Sequence, residues 1–249
     1  ESALGSGKRS MNILVVGASK GLGRAFIEGL GNAGDTLIGV SRTRPQGLMA
    51  GAERSVRWVE ADLMNPAKAA QEIEHAVQAD GLDTLIYNLG IWEEFAFDSA
   101  YDFVESADDE VQSIVNCNIT STILLIKRLL PLLLKSPHPR IILTGSTSGL
   151  PQSGRPEVAF GASKFALRGI AETLREGYRE QRLAVTCLNL GYLNTEDLLS
   201  TPINVAAQRG EGHLIPVHDV VEVVRMILSL SPASYVRELT LPAILDERF

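Results

Sequence analysis

The chain has 249 residues, 45% apolar and 21% charged, with a formal net charge of −7. That length allows one large α/β domain or two small ones, and the apolar content suffices for a sizeable core. The acidic balance and the absence of any basic block argue against a nucleic-acid surface. Cys117 and Cys187 both lie in apolar stretches and read as small buried hydrophobes of a reducing, cytoplasmic compartment, not as a disulfide or a metal pair. Residues 1–10, polar and glycine-containing before Met11, read as a tag or frayed leader, so the fold argument begins at residue 11.

In chain order, the apolar run Asn12–Val16 predicts a first strand. Gly17-Ala18-Ser19-Lys20-Gly21-Leu22-Gly23 follows it directly and opens a helix near Leu22. Glycines let a backbone turn sharply and approach a ligand closely, and the free N–H groups of a first helical turn favour phosphate. The spacing is G-x-x-x-G-x-G, not the general dinucleotide G-x-G-x-x-G. Thr36–Val40 and Val56–Val59 predict strands two and three, and Pro66 opens a helix to about Ala79 that Asn65 could cap. Leu82–Tyr87 is strand four, leading into Asn88-Leu89-Gly90. A helix from the 110s through Leu134 is apolar almost all round, which suggests a homodimer or homotetramer interface; a deeply buried monomer helix is the alternative. Lys127, Arg128 and Pro131 interrupt its apolar run and argue against a membrane span. Arg140–Thr144 is strand five, a helix lies within 156–181, Leu183–Leu188 is strand six, Val217–Leu230 is helical, and Val236–Leu241 is a last strand. This alternation predicts a single α/β domain over residues 11–249: a Rossmann-type, doubly wound parallel sheet of about seven strands with helices on both faces.

Such sheets bind ligands at the carboxyl ends of their strands. Strand two ends in Ser41-Arg42, where an acid would suit the ribose hydroxyls of NAD, and Lys20 lies in the glycine turn. Two cations without a carboxylate favour a 2′-phosphate, hence NADP(H); solvated surface charge is the alternative. Strand three ends in Asp62-Leu63, where Asp62 could accept from an adenine amino group or serve as a loop or capping residue.

Taken together, the glycine turn, Asp62, Asn88-x-Gly90, Asn118, Ser146 with Gly149, Lys164 and Gly191-x-x-x-Thr195 resemble the short-chain dehydrogenase/reductase family in order and spacing. The resemblance runs from about Asn12 to the C-terminus. It implies that Asn88 steadies the central strand and cofactor site, that Thr195 holds the nicotinamide carboxamide, and that Asn118 sits at a helix break and holds a water leading to Lys164. Ser146 would hydrogen-bond the reacting oxygen, and Lys164 would hold the ribose hydroxyls and lower the pKa of a phenol four residues earlier on the same helix face. That position is Phe160, so the expected catalytic Tyr is absent. Either an engineered Tyr-to-Phe change or a natural divergent or silent member explains it, with Tyr192 as a conceivable substitute hydroxyl. Leu89 and Leu190 depart from the family pattern too.

Leu193 to about Ile215 should cover the substrate, with Trp92 and Phe95 as an aromatic wall and Glu93, Glu94, Glu196 and Asp197 as an acidic rim. His213 and His218 are too isolated to suggest a metal. Two functions therefore compete: an NADP(H)-dependent oxidoreductase acting on a small carbonyl or alcohol and impaired by Phe160, or a silent NADP(H)-binding scaffold or sensor. A doubly wound domain that binds no nucleotide is the third alternative.

Overall fold

The computed structural model describes residues 9–49, 51 and 53–248. Of the expected leader, residues 1–8 lie outside the described residues. Seven strands form one parallel sheet: β1 (Asn12–Val16), β2 (Thr36–Ser41), β3 (Ser55–Glu60), β4 (Thr84–Tyr87), β5 (Arg140–Ser146), β6 (Ala184–Leu190) and β9 (Glu238–Leu241), in the order β3-β2-β1-β4-β5-β6-β9. Two further strands, β7 (Leu193–Asn194) and β8 (Ile215–Pro216), pair only with each other. The sequence reading missed this pair, because two residues carry no periodicity.

Alternation along each strand sends side chains to opposite faces of the sheet. In β1, Leu14 and Val16 join a core roofed by α2 (Pro66–Val77), α4 (Ser121–Leu133) and α5 (Val158–Gly177), through Ile73, Leu125, Leu129 and Leu167. Ile13 and Val15 face the other way, onto α1 (Gly21–Gly29) and α7 (Val217–Ser229), through Phe26, Ile27, Val220 and Val224. Both strand faces are dry, as a parallel sheet covered by helices on both sides requires.

The predicted long helix is two helices. α3 (Asp108–Val115) passes through a wide turn at Asn116–Thr120 into α4, and Ser121 N–H closes that turn on Asn116 O, five residues back. Most of the apolar surplus of α4 is buried within the chain itself, against the sheet and α2, and its exposed face holds Ile123, Lys127, Arg128 and Pro131. Pro66 opens α2 as predicted, but Asn65 does not cap it with its side chain. Its amide Nδ2 donates instead to Asp62 Oδ2 at 3.2 Å.

The chain winds from β1 outward to β3, then returns to lay β4 on the other side of β1. The strand order therefore reverses between β1 and β4, the switch point at which such sheets hold ligands. Val16 is in register with Val40 on one side and Tyr87 on the other, so the glycine turn after β1 and the Asn88–Gly90 segment after β4 emerge side by side.

Candidate active site

The glycine turn is built against its neighbours' backbone. Gly17 and Ala18 both donate to Val40 O, at 3.0 and 3.1 Å, and Asn88 N–H donates to Val16 O at 3.1 Å. Gly17 and Gly21 have φ of +76° and +52°, a region that disfavours residues with a Cβ. A Cβ on Gly17 would lie 3.1 Å from the backbone of Asn88 and Leu89, and one on Gly23 would sit on the Gly17 carbonyl oxygen. On Gly21 it would meet the Thr195 side chain at 3.2 Å, which brings Thr195 to the mouth of the turn. Lys20 stands just before α1 in extended backbone, fully outside the helix, with its side chain exposed.

Beside the turn, Arg42, Glu60, Asp62, Asn65 and Lys68 line a hollow of about 250 Å³. Here the expectation of a cation without a carboxylate needs correction. The β2–β3 register sets Glu60 opposite Ser41, so an acid shares the hollow with Arg42. One Glu60 oxygen is engaged by Arg44 N–H at 3.4 Å. Asp62 accepts from Met64 N–H at 3.1 Å and from Asn65, which folds it into its own loop. Ser41 is turned to local structure, donating to Thr43 O and accepting from Trp58 Nε1. Leu63 is buried, its carbonyl taken by Ser121 Oγ.

Lys164 is the centre of the arrangement. It projects from α5 beneath the carboxyl ends of β4 and β5, where Nζ donates to Thr144 O at 3.2 Å. Nζ also lies 3.2 Å from where a Gly90 Cβ would be, so a side chain at 90 would press on the ammonium. Burial pulls this ammonium down to about 8. Ser146 ends β5, and its Oγ accepts from Ser148 N–H at 3.1 Å, leaving the hydroxyl proton available to a ligand.

Asn118 occupies the wide turn between α3 and α4, as the resemblance implies, but its side chain is fully committed within the protein. Oδ1 accepts from Ile91 N–H at 2.8 Å, while Nδ2 donates to Ile91 O at 2.7 Å and to Ser163 Oγ at 2.9 Å. Its carbonyl accepts from Thr122 Oγ1 at 2.7 Å. The residue thus clamps the strand-four loop to α5. Asn118→Ala would strand a buried N–H and carbonyl at Ile91, and a loss of about 2–4 kcal/mol of stability is expected. Urea unfolding measures it, and a loss below about 0.5 kcal/mol would contradict the clamp.

Phe160 lies one turn before Lys164, its ring centroid 5.3 Å from Nζ. It is buried in an edge-to-face cluster with Phe97 at 5.3 Å and Trp92 at 6.3 Å, and Phe97 in turn meets Tyr192 at 5.6 Å. Phe97 holds a left-handed φ of +70°, with its N–H donated to Glu157 Oε1 at 2.8 Å. The Tyr192 hydroxyl accepts from Arg155 Nη1 at 2.7 Å, and the guanidinium also covers its ring.

The expected acidic rim is only half present. Glu93 is buried under α5, accepting at Oε1 from Ala159 and Phe160 N–H at 2.8 and 3.3 Å. That caps the orphan donors of the helix start, aided by the dipole. Asp197 is buried as well, held by Asn194 Nδ2 at 2.8 Å and by Arg209. Glu94 and Glu196 remain at the surface. Neither burial was visible in sequence: the partners of Glu93 lie 66 and 67 residues away, and Arg209 reaches Asp197 across the intervening loop.

The sheet and its switch point define a Rossmann-like, doubly wound α/β protein. The chain matches the short chain dehydrogenase family over residues 11–202 and belongs to that family. It is 32% identical to the uncharacterized oxidoreductase YciK of Escherichia coli K12 over 195 residues, 74% of this chain and 73% of that protein. It is 30% identical to the NADPH-dependent pterin aldehyde reductase of Arabidopsis thaliana over 201 residues, 76% of this chain and 77% of that one. An alcohol dehydrogenase from Thermococcus sibiricus, solved with 5-hydroxy-NADP, shares the fold at a TM-score of 0.76 and 18% identity, covering 96% of this chain and 99% of its own.

Proposed function

We propose that the chain is an NADP(H)-dependent oxidoreductase for a small carbonyl or alcohol, slowed by phenylalanine at position 160. The observation that carries this reading is the convergence of the glycine turn, the Gly90–Lys164 contact and Ser146 at neighbouring strand ends. The cradle fits a dinucleotide, since side chains at Gly17, Gly21 or Gly23 would fill the space or strain the turn that a pyrophosphate needs. A bound nicotinamide supplies hydride to the substrate carbon, or takes it. Ser146 donates a hydrogen bond to the substrate oxygen, and Lys164 holds the ribose hydroxyls and sets a positive charge beside position 160. Phe160 fills the place of the family's phenol and has no proton to hand over. Gly17, Ser19, Gly21, Leu22, Gly23, Asn88 and Thr195 would complete the cofactor site, and a homodimer or homotetramer belongs to the same reading.

NADP is favoured over NAD by Arg42 and Lys20. Proteins that share the fold are solved with NAD as well as NADP-type cofactors, so the preference rests on this chain's own cations. Arg42→Ala is expected to weaken NADPH binding by about 10–100-fold and to leave NADH binding nearly unchanged. Titration of both cofactors against both proteins checks it; parallel losses would remove the basis for choosing NADP.

A second reading, a catalytically silent NADP(H)-binding scaffold or sensor, is favoured by the packing of Phe160. Its buried ring packs edge-to-face on Phe97 and Trp92, so the side chain is held by apolar contacts that need no hydroxyl.

A further inference from the structure

At the opposite end of the sheet, a groove of about 560 Å³ opens between the amino ends of β5 and β6, the second half of α5 and the segment leading to β9. We propose that this groove is a second ligand site that binds a small phosphate-bearing polyanion, separate from the dinucleotide site.

Arg140, Arg175, Arg179, Arg182 and Arg237 line it with His138, against two acids, Glu172 and Glu176. Three positive charges are therefore uncompensated in the groove of a chain whose formal net charge is −7. No basic block exists in the sequence; the fold gathers these arginines from separate segments.

The five divide by role. Arg140 and Arg175 build the wall: Arg140 Nη2 donates to Leu230 O at 2.8 Å, and Arg175 Nη1 donates to Val185 O and Arg237 O, each at 2.9 Å. Arg175 Nε is buried with no hydrogen-bond partner in the structure. Arg179, Arg182 and Arg237 are exposed. Arg179 and Arg237 lean on Glu176 and Glu172, whereas Arg182 has no ion-pair partner among the described residues.

Arg182 also adopts a left-handed φ of +58°, in a turn where glycine or asparagine would be at ease. Arg182 N–H is tied to Arg179 O at 3.0 Å, so the turn that strains Arg182 holds both cations at the rim. Forked guanidinium donors match phosphate oxygens better than point charges do. The exposed Tyr235 ring in the same wall offers a flat apolar surface beside them. The volume lies within the range of small-molecule sites. β5 runs from Arg140 to Ser146, which sets the groove roughly 20 Å from the reacting end of the sheet.

The test is calorimetric titration of inorganic pyrophosphate into the full chain held in saturating NADPH, at low and moderate salt. Saturable binding is expected, and the double variant Arg179→Glu/Arg182→Glu should weaken it by about tenfold or more without changing NADPH binding. Arg128→Glu, a single charge reversal on the exposed face of α4, should leave it intact. Absence of binding at millimolar pyrophosphate overturns the proposal, as does equal weakening in the double variant and in Arg128→Glu. If Arg179→Glu/Arg182→Glu is poorly folded, Arg182→Ala alone decides: its affinity must fall.

Discussion

Phe160→Tyr is expected to raise the rate of NADPH-dependent carbonyl reduction by about 10²–10⁴-fold, the usual contribution of a positioned general acid. Reduction needs a proton at oxygen as hydride reaches carbon, and position 160, one turn before Lys164, carries a ring without a hydroxyl. The ring at 160 already stands 5.3 Å from the Lys164 ammonium, so a hydroxyl added to it enters the field of a cation. That field favours the phenolate and brings the phenol's pKa down toward working pH. Steady-state kinetics on simple aldehydes, ketones and quinones, before and after the change, would measure it. If both proteins bind NADPH and neither turns over, the scaffold reading replaces the enzyme.

A pH signature accompanies this result. Burial lowers the Lys164 pKa to about 8, so in the free protein the ammonium is intact below that pH and is lost above it. In the proposed site the charged form is the one that would hold ribose hydroxyls, so NADPH affinity should fall as pH rises through 8. The sign for stability is opposite: between about 8 and the ordinary lysine value the unfolded chain holds the extra proton, and this group's contribution rises with pH. A Lys164→Met chain should lose both trends.

Gly23→Ala should be the most damaging single methyl in the molecule. Its Cβ would fall on the Gly17 carbonyl oxygen, and the next atoms in its way are backbone too, at Gly17 C and Ala18 Cα. Backbone cannot swing aside as a side-chain tip can, so α1 must lift from the turn. A cost of about 2–4 kcal/mol is expected, with loss of the N–H cradle and of dinucleotide binding. Gly169→Ala is the matched comparison: on the exposed face of α5 its Cβ would meet nothing within 4 Å, and it should stabilise by about 0.5–1 kcal/mol. Equal melting temperatures for the two variants would refute the packing account.

What could be read from the residues follows from how local each signal is. Both faces of a parallel strand are buried, so Ile13–Val16 and Ile141–Leu143 stand out as apolar runs with no partner known. The glycine turn is legible because its demands are on backbone conformation. The rest depends on contacts between distant segments. Glu93 and Asp197 look like surface acids until α5 and Arg209 are set beside them. Glu60 joins the hollow beside Arg42 only through the β2–β3 register, and the arginine groove is scattered along the sequence.

The wide turn between α3 and α4 makes this stretch respond to a change in chain length differently from the helix that follows it. It holds one residue more than an α-helical turn would, and the widening takes up that surplus, so the helices on either side keep nearly the phase of one regular helix. Removing one residue across 116–120 would let the helix run on regularly and leave Leu125, Leu129 and Leu133 on the sheet, at the cost of displacing Asn118 from Ile91. Removing one residue between Leu125 and Leu129 would instead turn the rest of α4 by about 100° about its axis and carry Leu129 and Leu133 away from the sheet. A one-residue deletion at the turn should therefore spare the fold and damage the site, whereas the same deletion in mid-helix should damage the fold.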